Sequence, residues 1–209
     1  MSWIEALHER YVTGRRVRVL AGHLARTIPE DGTVLDVGSG DGQVALELIR
    51  RRPGLQVEGL EVHLRPQARL AAGAFDGRSI PRADRSHDVV LYVDVLHHAF
   101  EPLGLLLEGC RVARRAVVIK DHLREGWFAA RTLRFMDQVG NERHGVVVPA
   151  IYWSHAEWLA AIAKTGWQIS RWEQHLDLYP APASWVFERS LHFIARLEPA
   201  TPSSPRERV

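Results

Sequence analysis

From the amino end, apolar positions first fall at helical spacing, and Ser2 to Ile28 reads as helical segments broken near Gly14. The period then changes. "TVLDV", Thr33 to Val37, is an apolar run interrupted by one acid, the pattern of a strand buried on both faces of a parallel sheet. Helical spacing returns over Gln43 to Arg51 and stops at "RRPG". Leu55 to Val62 predicts a second strand. Asp88 to Val95 and Ala116 to His122 predict two buried strands, with a helix over Pro102 to Ala113 between them. Strands and helices in alternation predict a parallel α/β sheet with right-handed crossovers. Between Val62 and Phe75 there is little room for a crossover helix plus a strand, so that helix is expected to shrink to a turn.

After His122 the pattern is less regular. Gly126 to Val139 predicts a helix with an apolar stripe, and Arg131 and Arg134 lie off it. "GNERHGVVVPAIYW" reads as a loop. Ser154 followed three residues later by Glu157 is a capping box and predicts a helix to about Lys164. "WQISRWEQHLDLYP" and "SWVFERSLHFIARL" alternate like an antiparallel strand pair, and the proline- and serine-rich end is expected to be disordered. One domain over residues 1–198 with a disordered tail at 199–209 is the simplest partition of 209 residues.

Charge and composition exclude more than they assign. The formal net charge is +2, and no face reads as a basic stripe that would track phosphates, so nucleic acid is not an expected partner. The single cysteine, Cys110, lies in an amphipathic helix, where it reads as a small buried hydrophobe; it rules out a disulfide framework. The amino end lacks a signal-peptide pattern, and no apolar run reaches the roughly 20 residues that span a bilayer. A cytoplasmic protein without a membrane span is the expectation.

The chemistry concentrates at "VLDVGSGDG". Gly38, Gly40 and Gly42 space as G-x-G-x-G, and Gln43 stands where a dinucleotide fingerprint needs its third glycine. No lysine follows, so a phosphate loop is excluded too. Asp36 just before the turn would repel a pyrophosphate but suits a cationic or hydroxyl-rich ligand. Glu61, about 20 residues beyond, reaches the same crevice from the next strand and can accept both hydroxyls of an unphosphorylated ribose. Asp76 could accept from an adenine amino group, with Gly77 letting backbone approach the ring. An ammonium, a ribose and an adenine without phosphate describe S-adenosylmethionine (SAM).

These stretches, with "VEGLEV", "FDGRSIPRADRSHDVVLYVDVLHH" and "RVARRAVVIKDH", resemble the successive motifs of class I SAM-dependent methyltransferases, in particular the small-molecule, ubiquinone/menaquinone-type branch. The resemblance is strong from Val34 to Asp121 and weaker to Leu197. It implies a Rossmann-like seven-stranded, mostly parallel sheet with the last strand antiparallel and helices on both faces. It also implies SAM as cofactor, with Asp36, Gly38, Ser39 and Gly40 at the methionine end, Glu61 at the ribose and Asp76 with Gly77 at the adenine; Asp94 joins this group. His87 departs from the family, which has Phe there, and suggests a more exposed strand entry. The motif of adenine-amino methylation and the Pro-Cys of cytosine methylation are both missing.

Methyl transfer leaves the protein to position the reactants and, for a hydroxyl-like acceptor, to supply a base. Candidates at strand ends are His97, His98, Asp121 and His122. A magnesium pair of Asp94 and Asp121 is weighed and set aside, since no Asn follows Asp121. Asn141, Arg143, His144, Tyr152 and Trp153 are candidates for a small-molecule acceptor site in an insert over 123–153. The amino-terminal stretch 2–28, with Trp3, Tyr11 and Arg15, could act as a lid. Two other readings stay open: a non-catalytic SAM-binding partner or sensor, and an NAD-dependent reductase.

Overall fold

The computed structural model describes residues 14–141, 150–181, 183–188 and 190–200. Seven strands form one sheet: β1 (Gly32–Val37), β2 (Leu55–Glu61), β3 (Ala72–Ala74), β4 (His87–Val93), β5 (Ala113–His122), β6 (Trp167–Gln174) and β7 (His192–Pro199). Their order is β3-β2-β1-β4-β5-β7-β6. The pairs from β3 to β5 are parallel, and β7 is antiparallel to both β5 and β6. β7 is therefore the one reversed strand, as the resemblance implied.

Alternation along each strand explains the layers. In β1, β4 and β5 the set Leu35, Val37, Val90, Tyr92, Val117 and Ile119 packs on one face. There it meets Leu105, Leu106 and Cys110 of α3 (Pro102–Val112) and Trp158 and Ile162 of α5 (His155–Lys164). The intervening set Val34, Val89, Leu91, Ala116 and Val118 faces the other way. It packs on Leu20 and Leu24 of α1 (Gly14–Thr27) and Leu48 of α2 (Gln43–Arg51). Cys110 is buried, and burial pushes its thiol up to about 12, so it is core rather than nucleophile.

Several boundaries differ from the sequence expectation. Between Glu61 and Ala72 the chain makes only turns, as the short spacing foretold. The helix expected from Gly126 begins later, as α4 (Ala129–Asn141), because Gly126 and Phe128 take positive φ angles that no α-helix accommodates. The expected strand "WQISRWEQHLDLYP" stops at Gln174, since His175 and Asp177 also have positive φ. "SWVFERSL" is not strand: Ser184–Phe187 is a short helix, α6, and pairing resumes only at His192. The capping box at Ser154 forms as read, with Ser154 and Glu157 exchanging hydrogen bonds. His87 is buried rather than exposed at the strand entry, its Nε2 3.1 Å from Glu58 Oε2. No helix among the described residues is long and apolar enough to cross a membrane.

Candidate active site

β1 lies between β2 and β4, so the chain crosses over in opposite directions on its two sides. This is where open α/β sheets form a crevice at the strand carboxyl ends. β1 delivers Asp36 and the glycine turn there. Gly38 has φ +74°, and a Cβ on it would stand 2.5 Å from Val95 Cγ2, so only glycine fits. The Gly38 and Ser39 amides both donate to the Leu60 carbonyl, at 2.8 and 3.0 Å, and lock the turn to β2. Glu61 Oε2 accepts from the Gly40 amide at 2.7 Å, while Oε1 accepts from the Val62 amide at 2.8 Å. The acid assigned to the ribose thus also shapes the glycine turn.

Two polar atoms in this crevice are buried without a hydrogen-bond partner: Asp36 Oδ1 and Ser39 Oγ. Asp36 is 2% exposed, and burial followed by the charge of Glu61 pushes its carboxyl up to about 7. A buried, uncompensated carboxylate beside a second acid is costly unless a cation or donor meets it. An ammonium with nearby hydroxyls fits that requirement; a phosphate does not. Asp76 is exposed in the loop after β3, and its Oδ1 accepts from the Arg78 and Ser79 amides at 2.8 and 2.7 Å. These amides hold its carboxyl below the ordinary range. Gly77 beside it has φ +76°.

The second cluster stands at the ends of β4 and β5. Asp94 follows β4 with φ +56°. Its carboxylate is engaged by Lys120 and Arg16. Burial works to raise that carboxyl, but the two cations outweigh it and hold it well below its usual range. The side chain of Asp94 thus ties α1 to β5. Lys120 is wholly buried, 3.4 Å from His192 Nδ1. Lys120, Arg16 and His192 were not singled out from sequence, although a lysine inside the apolar run "AVVIKDH" was a visible signal.

His97 sits in a 3-10 turn after β4, and its Nδ1 lies 2.6 Å from Asp121 Oδ1. The two are 2% and 0% exposed at the side chain. Burial works to raise Asp121, but the charge of His97 and hydrogen bonds from His122 and His97 outweigh it and keep the carboxyl ionised. An ionised carboxylate only accepts, so His97 Nδ1 carries the proton of this contact. The His122 backbone amide donates to the same oxygen at 2.7 Å. Burial, then Lys120, lowers His122, and the same two causes lower His192 further, so both rings are neutral at neutral pH. The His98 ring lies tilted against His97 at 3.9 Å, and Tyr152 stacks on His97 at 5.5 Å. Trp153 packs instead on Trp158, at 4.8 Å.

Of the two expected acceptor residues whose side chains are described, Tyr152 meets this cluster and Trp153 does not. Arg143 and His144 lie outside the described residues, as do Trp3 and Tyr11 of the expected lid, and the side chain of Asn141 does too. Arg15 donates to the Asp177 carbonyl at 3.1 Å. Asp94, which was set aside as half of a magnesium pair, is engaged by Lys120 and Arg16. His97, Asp121 and His122 do present ligand atoms within 4.8 Å of one another. The 2.6 Å contact holds a proton.

Part of the sequence and the fold are similar to those of known methyltransferases. Residues 35–119 match the methyltransferase domain family. A curated relative from Mycobacterium sp. (strain JLS), an uncharacterized methyltransferase, is 39% identical over 94 residues, 42% of this chain. The chain spans only 37% of that relative's length. Among solved structures, a chain from the complex of the Haloferax volcanii Trm112 methyltransferase activator with a putative methyltransferase superposes with TM-score 0.68 at 19% identity. That likeness covers 95% of this chain and 96% of that one. A SAM-dependent methyltransferase from Thermotoga maritima, a possible histamine N-methyltransferase, gives 0.66 at 19% identity, covering 92% and 95%. The fold is the one these solved methyltransferases share, and residues 35–119 match the methyltransferase domain family.

Proposed function

We propose that this protein transfers a methyl group from SAM to a small-molecule acceptor. The observation that carries the reading is the pair of unpartnered buried atoms, Asp36 Oδ1 and Ser39 Oγ, beside Glu61 in the crevice of the glycine turn. Asp36 and the turn Gly38-Ser39-Gly40 would hold the methionine end, Glu61 the ribose hydroxyls, and Asp76 with Gly77 the adenine. The cofactor supplies an electrophilic methyl on a sulfonium, so no further activation of the donor is needed.

The chain's own task is to align the acceptor for in-line attack and to take its proton. His97 Nε2 is the proton acceptor in this reading, and Asp121 keeps Nδ1 protonated and the ring oriented. His122, held neutral, and Tyr152, stacked on His97, wall that end of the site against water. Asp94 positions this floor through Lys120 rather than touching the acceptor.

A second reading has its own observation. His97, Asp121 and His122 are all buried, which suits a SAM-binding partner or sensor that does not turn over. Formation of S-adenosylhomocysteine (SAH) across a panel of hydroxyl, amine and thiol acceptors separates the two. One structural neighbour comes from a complex with a methyltransferase activator, so the panel is run with and without a Trm112-type protein.

The binding test is calorimetric titration of SAH, SAM and NAD into wild type and Glu61→Ala. The reading expects SAH binding, no NAD binding, and a loss in the variant of about 1.5–3 kcal/mol, tenfold or more. NAD binding, or no SAH binding, would remove the site assignment.

A further inference from the structure

The two most exposed large apolar side chains of the described residues lie on neighbouring elements. Trp127 is 88% exposed and Trp185 75%. Phe128 and Phe135 beside Trp127, and Val186 beside Trp185, are exposed as well. They belong to α4 with the residues leading into it, and to α6. The two helices touch through the stacked rings of Phe135 and Phe187, 6.4 Å between centroids. Between them lies an open cavity of about 410 Å³ lined by Phe128, Arg131, Phe135 and Phe187 among others. Part of the apolar stripe predicted for this helix thus faces outward.

The described residues of this face carry two exposed cations. Arg131 and Arg134 are exposed, and neither makes an ion pair within the described residues. The acids flanking the patch are turned to backbone: Glu125 accepts from the His155 amide at 2.9 Å and Glu188 from the Tyr179 amide at 3.0 Å. Exposed tryptophans and phenylalanines beside unpaired arginines are the chemistry of a helix lying in a lipid headgroup region. There, rings enter the acyl boundary while guanidinium groups stay with phosphates. A protein partner fits less well, because among the described residues nothing supplies a fixed polar register between the rings.

We propose that the face formed by α4 and α6 docks peripherally on an anionic lipid bilayer. The opposite side of α4 contributes Ala129 and Leu133 to the cluster around Tyr152, which stacks on His97. The helix that would lie on the lipid is therefore also the roof of the candidate active site. Resting on the methyltransferase reading, this favours an amphipathic acceptor that enters from the bilayer beneath α4.

The test is sedimentation of the full chain with vesicles of phosphatidylcholine alone and of phosphatidylcholine with phosphatidylglycerol, alongside tryptophan emission. The proposal expects sedimentation with the anionic vesicles only, a blue shift of emission, and weakening by salt. Trp127→Ser/Trp185→Ser should abolish the blue shift, and Arg131→Glu/Arg134→Glu should weaken sedimentation about tenfold or more. All four positions are exposed, and an unchanged Tm for each variant confirms an intact fold. Absence of sedimentation, equal sedimentation with both vesicle types, or sedimentation insensitive to either double variant would overturn the proposal. So would self-association that the tryptophan variant dissolves without any vesicle binding, which would make the face an interface between copies. Vesicle binding is read without SAM, so its outcome is independent of the SAH titration.

Discussion

Asp36→Asn should make the protein more stable while emptying its cofactor site. In the ligand-free protein the Asp36 carboxyl is pushed from its ordinary value up to about 7, first by burial and then by Glu61. The raised value means the folded state binds a proton that the unfolded state has released. Stability from this group is complete below the unfolded value near 4 and is lost as pH rises to about 7. A shift of about three units corresponds to about 4 kcal/mol, read as an order of magnitude. Asparagine keeps the shape and removes the charge, but its own amide hydrogen bonds are unmet there, which costs about 1–3 kcal/mol. The net gain at pH 8 is then about 2 kcal/mol, a Tm rise of roughly 4–8 °C for a chain of this size. At pH 4.5 the gain should vanish. SAH affinity should fall about tenfold or more at pH 8, because the ammonium loses its charged partner. Thermal unfolding from pH 4.5 to 8.5, with SAH titrations at the upper end, measures both. A variant less stable than wild type at pH 8, or one that binds SAH equally well, refutes the account of Asp36 as an uncompensated acid awaiting a cation.

Three further outcomes are expected. His97→Gln and Asp121→Asn should each lower kcat by about 10²–10⁴-fold for a hydroxyl acceptor while SAH affinity measured by calorimetry stays within about twofold; a matching loss of SAH affinity would mean the pair only shapes the cofactor site. Lys120→Met leaves Asp94 buried with Arg16 as its remaining cationic partner, and should cost about 3 kcal/mol in denaturant unfolding; a neutral result would show that Arg16 alone compensates the acid. Gly38→Ala must take φ +74° and push Val95 aside, so circular dichroism should report a Tm loss and calorimetry should report no SAH binding; retained binding would show that the turn is softer than its geometry implies.

The apolar runs were enough to read the parallel core, because a strand buried on both faces is apolar through its middle, as Val34-Leu35, Val89 to Tyr92 and Ala116 to Ile119 are. The glycine turn and the acids Asp36, Glu61 and Asp76 were legible for a local reason. A chain that turns sharply at a strand end and holds an unphosphorylated nucleoside needs those residue types within a short span. The strand break at Gln174 and the helical turn at Ser184–Phe187 were not legible. Positive φ at His175 and Asp177 and the packing of α6 on α4 decide them, and alternation alone cannot distinguish a strand from a short amphipathic turn. The same limit hid the roles at the far end of the sheet. Asp94 reads as a loop acid until Arg16, 78 positions away, and Lys120 close on it. His97 and Asp121 are separated by 24 positions and become a pair only because β4 and β5 are neighbours. Residues within one turn and its adjoining strand are set by local chemistry, which sequence carries. Which distant charges share a buried space is set by strand order and packing, and only the tertiary structure decides that.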